Sequence, residues 1–365
     1  MKVLEVLNHF PGETFIKEHI KAIKLHAPEI HLQLAYTQTP FTGKITSPIQ
    51  NVEAYAWPNY NLMPQWKQWV QTLQYPGNQW YKLQEPQRRL LNKLKPDHVH
   101  FHFSNLAIKY GPLCTELQIP YSFSIRGTEI HLLKAEAHDT NLQQLKQAGS
   151  KAKNIHAVST HLSKSLQTIT GLQSTVIRTT LDVTSFKPVR LPEKNHWIAV
   201  GRLVWQKGFA YLIRACALLN TRNFKLTIIG EGPMRAELEF MIKDLGLENQ
   251  IKLVGHQAQK ELLEYFGKAE GLICSSIAEG FPNILVEAIA SQLPIITTNI
   301  GDIKELLPNN DQVQLIPPAS SEAIANGLQH WITSTPTLSI QTQRQLASLF
   351  APQKHAEAFV KFYGA

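Results

Sequence analysis

The chain has 365 residues, enough to build two hydrophobic cores rather than one. Its composition, 43% hydrophobic and 18% charged, is that of a soluble globular protein, and no apolar run approaches the roughly 20 residues that span a bilayer, so any membrane contact is expected to be peripheral. The net charge of +8 is uneven: residues 1–190 hold 21 Lys+Arg against 12 Asp+Glu, and residues 191–365 hold 15 against 16. A basic first half suits an anionic partner such as a phospholipid surface, a lipid diphosphate or an acidic saccharide, or it simply keeps a charged surface in water. The cations are too dispersed for a nucleic-acid site.

In chain order, KVLEVL (2–7) reads as a first strand and not as a signal peptide, because Glu5 interrupts the apolar stretch and a turn follows. The protein is therefore expected in the cytoplasm, at most peripheral at the inner face of the cell membrane. Further strands are expected at IHLQLAY (30–36), HVHFHF (98–103), PYSFSI (120–125), NIHAVS (154–159) and STVIRT (174–179). Between Trp57 and Trp80 lie four of the seven tryptophans, with Tyr60, Tyr75 and Lys67 among them. That mixture suits a membrane interface or sugar stacking, and a helix packing its aromatics into the core is the preferred reading. In HVHFHF, His98, His100 and His102 share one strand face, but steps of about 6.8 Å are too wide to converge on one metal ion. No metal is expected there. Cys114, Cys216 and Cys274 are isolated in apolar contexts and read as core residues.

Pro188 and Pro192 mark a linker around 187–194. Beyond it, strands at 196–201, 224–230, 251–255, 271–276, 294–298 and 313–316 alternate with helices beginning near Gly208, Met234, Lys260, Asn283 and Ser321. The expected architecture is α/β, with two Rossmann-like domains, 1–187 and 195–348, facing across a cleft where ligands bind beyond the carboxyl ends of the strands. The aromatic helix of 349–365 is expected to pack back toward the first domain.

The chemistry concentrates in residues 271–298. Glu279 occupies a loop and Glu287 follows eight positions later inside a helix. Gly280 permits close backbone approach, Pro282 suits the first helical position, and the N–H groups near Asn283 and Ile284 face an anion such as a diphosphate. Glu279 suits sugar hydroxyls and Glu287 a ribose. Capping by Glu279 and a surface ion pair for Glu287 would be the alternative. Arg202 and Lys207, in the turn after the first strand of the same domain, favour the first reading, because two cations at the edge of a sheet neutralise a diphosphate leaving group without a metal.

These motifs resemble the large bacterial family of group 1 retaining glycosyltransferases of the GT-B type: a GRL...KG turn (Gly201 to Gly208), a GxGP turn (Gly230 to Pro233) and a Glu, seven residues, Glu pattern (Glu279 to Glu287). The resemblance covers the second domain and thins in the first, where HFPGETFI (9–16), NIHAVS and LDVTSFKP (181–188) are similar to family landmarks. It implies transfer of a sugar from a nucleotide-diphosphate sugar to a saccharide or lipid-linked acceptor, in the synthesis of a bacterial polysaccharide, lipopolysaccharide or glycolipid. No cofactor beyond that co-substrate is implied. Arg202 and Lys207 then bind the diphosphate, Glu279 the sugar, and Glu287 the ribose. Gly280, Phe281, Asn283 and Ile284 complete the donor site, while Gly255 and His256 line the base. Gly12 is a candidate for backbone approach to the phosphates.

One departure concerns the family's His-Gly-x-Asp turn, which here reads Arg126-Gly-Thr-Glu129. An Arg suits an acidic sugar, an acidic acceptor or a phosphate; pairing with Glu129 as scaffold is the alternative. His102, near the carboxyl end of its strand, joins Arg126 and Glu129 as a candidate for the acceptor or sugar side. Other GT-B activities, such as nucleotide-sugar epimerisation, or a catalytically silent subunit, are the competing readings.

Overall fold

The computed structural model describes residues 1–8, 14–37, 43–45, 47, 49–57, 84–127, 130, 139–182, 188–307, 309–310, 312–333 and 347–365. These divide into two units, Met1–Thr180 with Pro352–Ala365, and Leu181–Ala351. Gly12, Glu129 and the aromatic segment 58–83 lie outside the described residues.

The first unit contains strands β1 (Lys2–Leu7), β2 (His31–Tyr36), β3 (Gly43–Ile45), β4 (Glu53–Ala56), β5 (His98–Phe101), β6 (Tyr121–Ile125), β7 (Asn154–Ala157) and β8 (Thr175–Val176). Around them run helices α1 (Thr14–His26), α2 (Glu85–Leu94), α3 (Ser104–Glu116), α4 (Asp139–Lys151) and α5 (Thr160–Thr170). The sheet order is β3-β4-β2-β1-β5-β6-β7-β8, parallel except for the β3–β4 pair at one edge. Alternation along β1 divides the core: Leu4 and Val6 face Phe101, Phe123 and Trp57, while Val3 and Leu7 face Ile16, Ile20, Phe359 and Phe362. Trp57 is a core residue, edge-on to Tyr110 at 5.3 Å.

The second unit contains β9 (His196–Val200), β10 (Lys225–Ile229), β11 (Ile251–Leu253), β12 (Gly271–Cys274), β13 (Ile295–Thr298) and β14 (Val313–Ile316). Its helices are α6 (Phe209–Ala217), α7 (Arg235–Asp244), α8 (Gln259–Lys268), α9 (Asn283–Ala290), α10 (Ile303–Leu306) and α11 (Ser321–Thr333). The sheet is parallel throughout, ordered β11-β10-β9-β12-β13-β14. This order reverses direction beside β9, so the carboxyl ends of β9 and β12 flank the switch point where such sheets take their ligands.

Two expectations need correction. The proline-flanked segment 188–194 is no free linker: Leu191 and Glu193 donate backbone N–H bonds to the carbonyls of Gly267 and Lys268 at 3.0 and 2.8 Å. The Arg190 guanidinium also takes the carbonyls of Phe266 and Ala269, carbonyl groups that a helix end leaves without partners. The division between units falls earlier, at Leu181.

The last helix, α12 (Pro352–Tyr363), belongs to the first unit and packs against α1. It buries Ala356, Phe359, Phe362 and Tyr363, and its final carbonyls accept from Lys153 Nζ (to Tyr363, 2.8 Å) and Asn154 Nδ2 (to Phe362, 2.6 Å). Among the described residues, no helix is long and apolar enough to cross a membrane.

Candidate active site

Three glycine-bearing turns interlock at the carboxyl edge of the second sheet. After β9, Gly201 N–H donates to the Ile229 carbonyl and Leu203 N–H to that of Glu231, at 3.0 and 2.8 Å. After β10, Gly230 N–H reaches the carbonyl of Gly255, which follows β11, at 2.8 Å. Gly230 sits at φ 146°, and a Cβ there would lie 1.9 Å from the Gly201 carbonyl oxygen. Both the backbone angle and the space exclude a side chain. Gly230→Ala is accordingly expected to destabilise the second unit by about 3 kcal/mol or more, read as a lowered urea midpoint. A wild-type midpoint would mean that these turns do not pack as closely as described.

The turn carrying Lys207 is held just as tightly. Its carbonyl accepts from Ser275 Oγ at 2.9 Å, Ile277 N–H donates to the Gln206 carbonyl at 2.7 Å, and Gly208, at φ 64°, presses against the Ser275 carbonyl. The Lys207 stem runs over Gly201, where a Cβ would meet its Cε at 3.0 Å. Its ammonium then reaches Glu279 Oε1 at 2.7 Å. Only 22% and 16% of the two side chains remain exposed, so the pair is shielded from most of the screening that weakens surface ion pairs. Burial works against the Lys207 charge, but the Glu279 carboxylate outweighs it and the ammonium pKa is raised. Lys207 is therefore charged at neutral pH. Arg202 is exposed nearby, close enough for its charge to oppose that of Lys207.

Glu279 is fixed from the other side by Ser276 Oγ, which donates to the same Oε1, while Thr298 Oγ1 holds the Ser276 carbonyl at 2.6 Å. Sequence reading overlooked Ser276, although a small hydroxyl three residues before the loop carboxylate was available as a signal. Pro282 stands one position earlier than expected, at the N-cap of α9 with φ −72°. The N–H groups of Asn283 and Ile284 then open the helix and, like those at any helix start, carry its positive end. Glu287 lies half-buried one turn into α9. Phe281 packs its ring toward Phe350, centroids 5.4 Å apart, which gives it a core role not foreseen from the sequence. Gly255 is buried and His256 exposed at the end of β11. Arg202, Lys207, Glu279 and the start of α9 thus gather at one sheet edge, with Gly255 and His256 on the flank.

In the first unit, Arg126 follows β6 and is half-buried. Its guanidinium donates to the His102 carbonyl at 3.1 Å, contacts His102 Nδ1 at 2.9 Å and lies over the Phe15 ring, 4.3 Å from its centroid. His102 itself is fully buried, so it reaches the sheet edge only through Arg126. His98, His100 and His156 form a ladder with Ser122 and Ser124, each contact 2.7–2.9 Å. Among the described residues, one set could gather a metal, Glu5, His19 and His102.

Residues 183–346 match the family model described as glycosyl transferases group 1. The match takes in a little under half of the chain, almost all of it in the second unit. It is 35% identical over 136 residues to the amylovoran biosynthesis glycosyltransferase AmsK of Erwinia amylovora, covering 35% of this chain and 33% of that protein. To the putative teichuronic acid biosynthesis glycosyltransferase TuaC of Bacillus subtilis it is 25% identical over 251 residues, covering 65% and 62%. The chain therefore spans between one third and three fifths of the length of these curated relatives. Among solved structures it is similar to HepE of Anabaena in complex with UDP-glucose, with a TM-score of 0.79 at 16% identity, covering 100% of this chain and 99% of that one. At that identity the likeness establishes the fold, which is GT-B.

Proposed function

We propose that this chain is a group 1 glycosyl transferase that moves a sugar, with retention of configuration and without a metal ion, from a nucleotide-diphosphate sugar to a saccharide or lipid-linked acceptor in the synthesis of a bacterial surface polysaccharide. The observation that carries this reading is the charged Lys207 beside Glu279, at the sheet edge where α9 begins.

A donor diphosphate placed there meets Lys207, Arg202 and the N–H groups of Asn283 and Ile284, a set of fixed positive partners for the charge that develops as the glycosidic bond breaks. Gly280 leaves room for the donor's approach. Glu279, fixed by Ser276, accepts from sugar hydroxyls; Glu287 takes the ribose, and Gly255 and His256 flank the base. As the bond from the sugar C1 to the phosphate oxygen breaks, the acceptor oxygen bonds to C1 on the same face, and its proton passes to the departing phosphate. Arg126 in the first unit serves the sugar or acceptor side. The relatives' names, amylovoran and teichuronic acid biosynthesis, support a saccharide acceptor, and the basic first half of the chain suits contact with anionic lipid at the inner face of the cell membrane.

The test is transfer in the presence of EDTA, with the product anomer read by proton NMR. Full rate and the donor's anomeric configuration are expected. Loss of rate restored by a divalent ion, or an inverted product, would overturn the mechanism.

A further inference from the structure

The buried polar groups beneath Arg126 have a hydrogen-bond count that fixes where their protons lie. A guanidinium only donates, so His102 Nδ1, 2.9 Å from Arg126 Nη2, must accept. Burial, opposed by Glu5, leaves His102 with a pKa of about 4, so the ring is neutral at pH 7 and its one proton is on Nε2. That Nε2 donates to Glu5 Oε2 at 2.9 Å.

On its other side, Glu5 Oε1 accepts from the Tyr363 hydroxyl at 3.0 Å and faces His19 Nε2 at 2.7 Å. His19 Nδ1 faces His355 Nε2 at 2.8 Å, and His355 Nδ1 donates to the Arg178 carbonyl at 2.8 Å. Burial pushes Glu5 up, but His19 and His102 pull its carboxyl well below the usual carboxylate range, while burial takes His355 down to about 3. His102 is thus neutral in a single tautomer, with the Glu5 carboxylate accepting at its Nε2.

We infer that Glu5 and His102 are positioning residues for Arg126: the Glu5 carboxylate, held in place by His19 and the Tyr363 hydroxyl, fixes the His102 tautomer whose Nδ1 and carbonyl together aim the guanidinium at the carboxyl edge of the first sheet. Phe15 and Phe103, at 4.3 and 5.9 Å, flank the guanidinium there. The role rests on the reading of Arg126 as a sugar-side or acceptor-side group. The same geometry argues against a metal among Glu5, His19 and His102, because a metal needs the His102 Nε2 lone pair, and that nitrogen holds the proton.

The test is nitrogen-15 NMR of histidine and arginine side chains in the full chain at pH 7.5. His102 is expected as the Nε2–H tautomer, and the Arg126 Nε–H in slow exchange with water. In Glu5→Gln, the Arg126 Nε–H should exchange about tenfold faster, as one hydrogen bond of the set is weakened. An Nδ1–H tautomer at His102 in the wild-type chain overturns the inference without any variant, as does unchanged Arg126 exchange in Glu5→Gln. Glu279→Gln should leave all these signals in place, so failure of the glycosyltransferase reading and failure of this one are separately visible.

Discussion

Glu279→Gln is expected to lower the rate of sugar transfer by about 100- to 1,000-fold with little change in stability, because a preorganised charged contact is removed from the reacting end of the donor. The amide keeps the shape of the carboxylate but gives up its charge toward Lys207, 2.7 Å away, and accepts less strongly from sugar hydroxyls. Lys207→Ala should cost a comparable factor, since the diphosphate loses its most fixed cation. The double variant should be little worse than either single one, because the two groups act as a unit. Steady-state kinetics on the three variants checks this; near-normal turnover in Glu279→Gln would remove the residue from the reacting centre.

A second large effect is expected in acid, and it should fall on the first unit. Burial holds His98 and His102 at about 4 and His355 at about 3, against an unfolded value of 6.5, and drives His100 and His156 down as well. The unfolded chain therefore binds protons first as pH falls, and stability present in full above pH 6.5 is lost on the way down toward pH 4. Glu5 acts in the same direction at lower pH, since its folded pKa is depressed. Each of His98 and His102 contributes on the order of 3 kcal/mol to that loss, a large share of the roughly 5–15 kcal/mol that holds a domain together. In the second unit only His196 is lowered among the described histidines. Urea titrations followed by hydrogen exchange of individual peptides, corrected for intrinsic rates, should show the first unit losing protection between pH 7 and pH 5 well before the second. Equal sensitivity of the two units would contradict the buried neutral histidines.

What could be read from the sequence divides along the range of the interactions. The second unit was legible strand by strand, since each of β9 to β14 is a short apolar run followed by a glycine or proline turn and an amphipathic helix. Lys207 and Glu279 were legible because each lies in a local motif, and the fold then brings the motifs to one edge. β3 and β4 were missed because three or four residues carry no apolar run, and only pairing with neighbouring strands makes them strands. The Arg190 strap was misjudged because proline spacing says nothing about a helix end waiting for donors. The network around Glu5 was out of reach for a different reason. His19 meets His355 across 336 positions and Tyr363 meets Glu5 across 358, and no local pattern reports contacts of that separation. A lone Glu in an apolar first strand was the one available sign, and it was read only against a signal peptide.

The central claim is that the edge formed by Arg202, Lys207 and the start of α9 binds a nucleoside diphosphate. Isothermal calorimetry of the wild-type chain with UDP, GDP and ADP in EDTA tests it most directly. Saturable binding of one of them, weakened at least tenfold in Lys207→Ala, is the predicted result. Binding of none of the three, or equal binding by the wild type and Lys207→Ala, would contradict it.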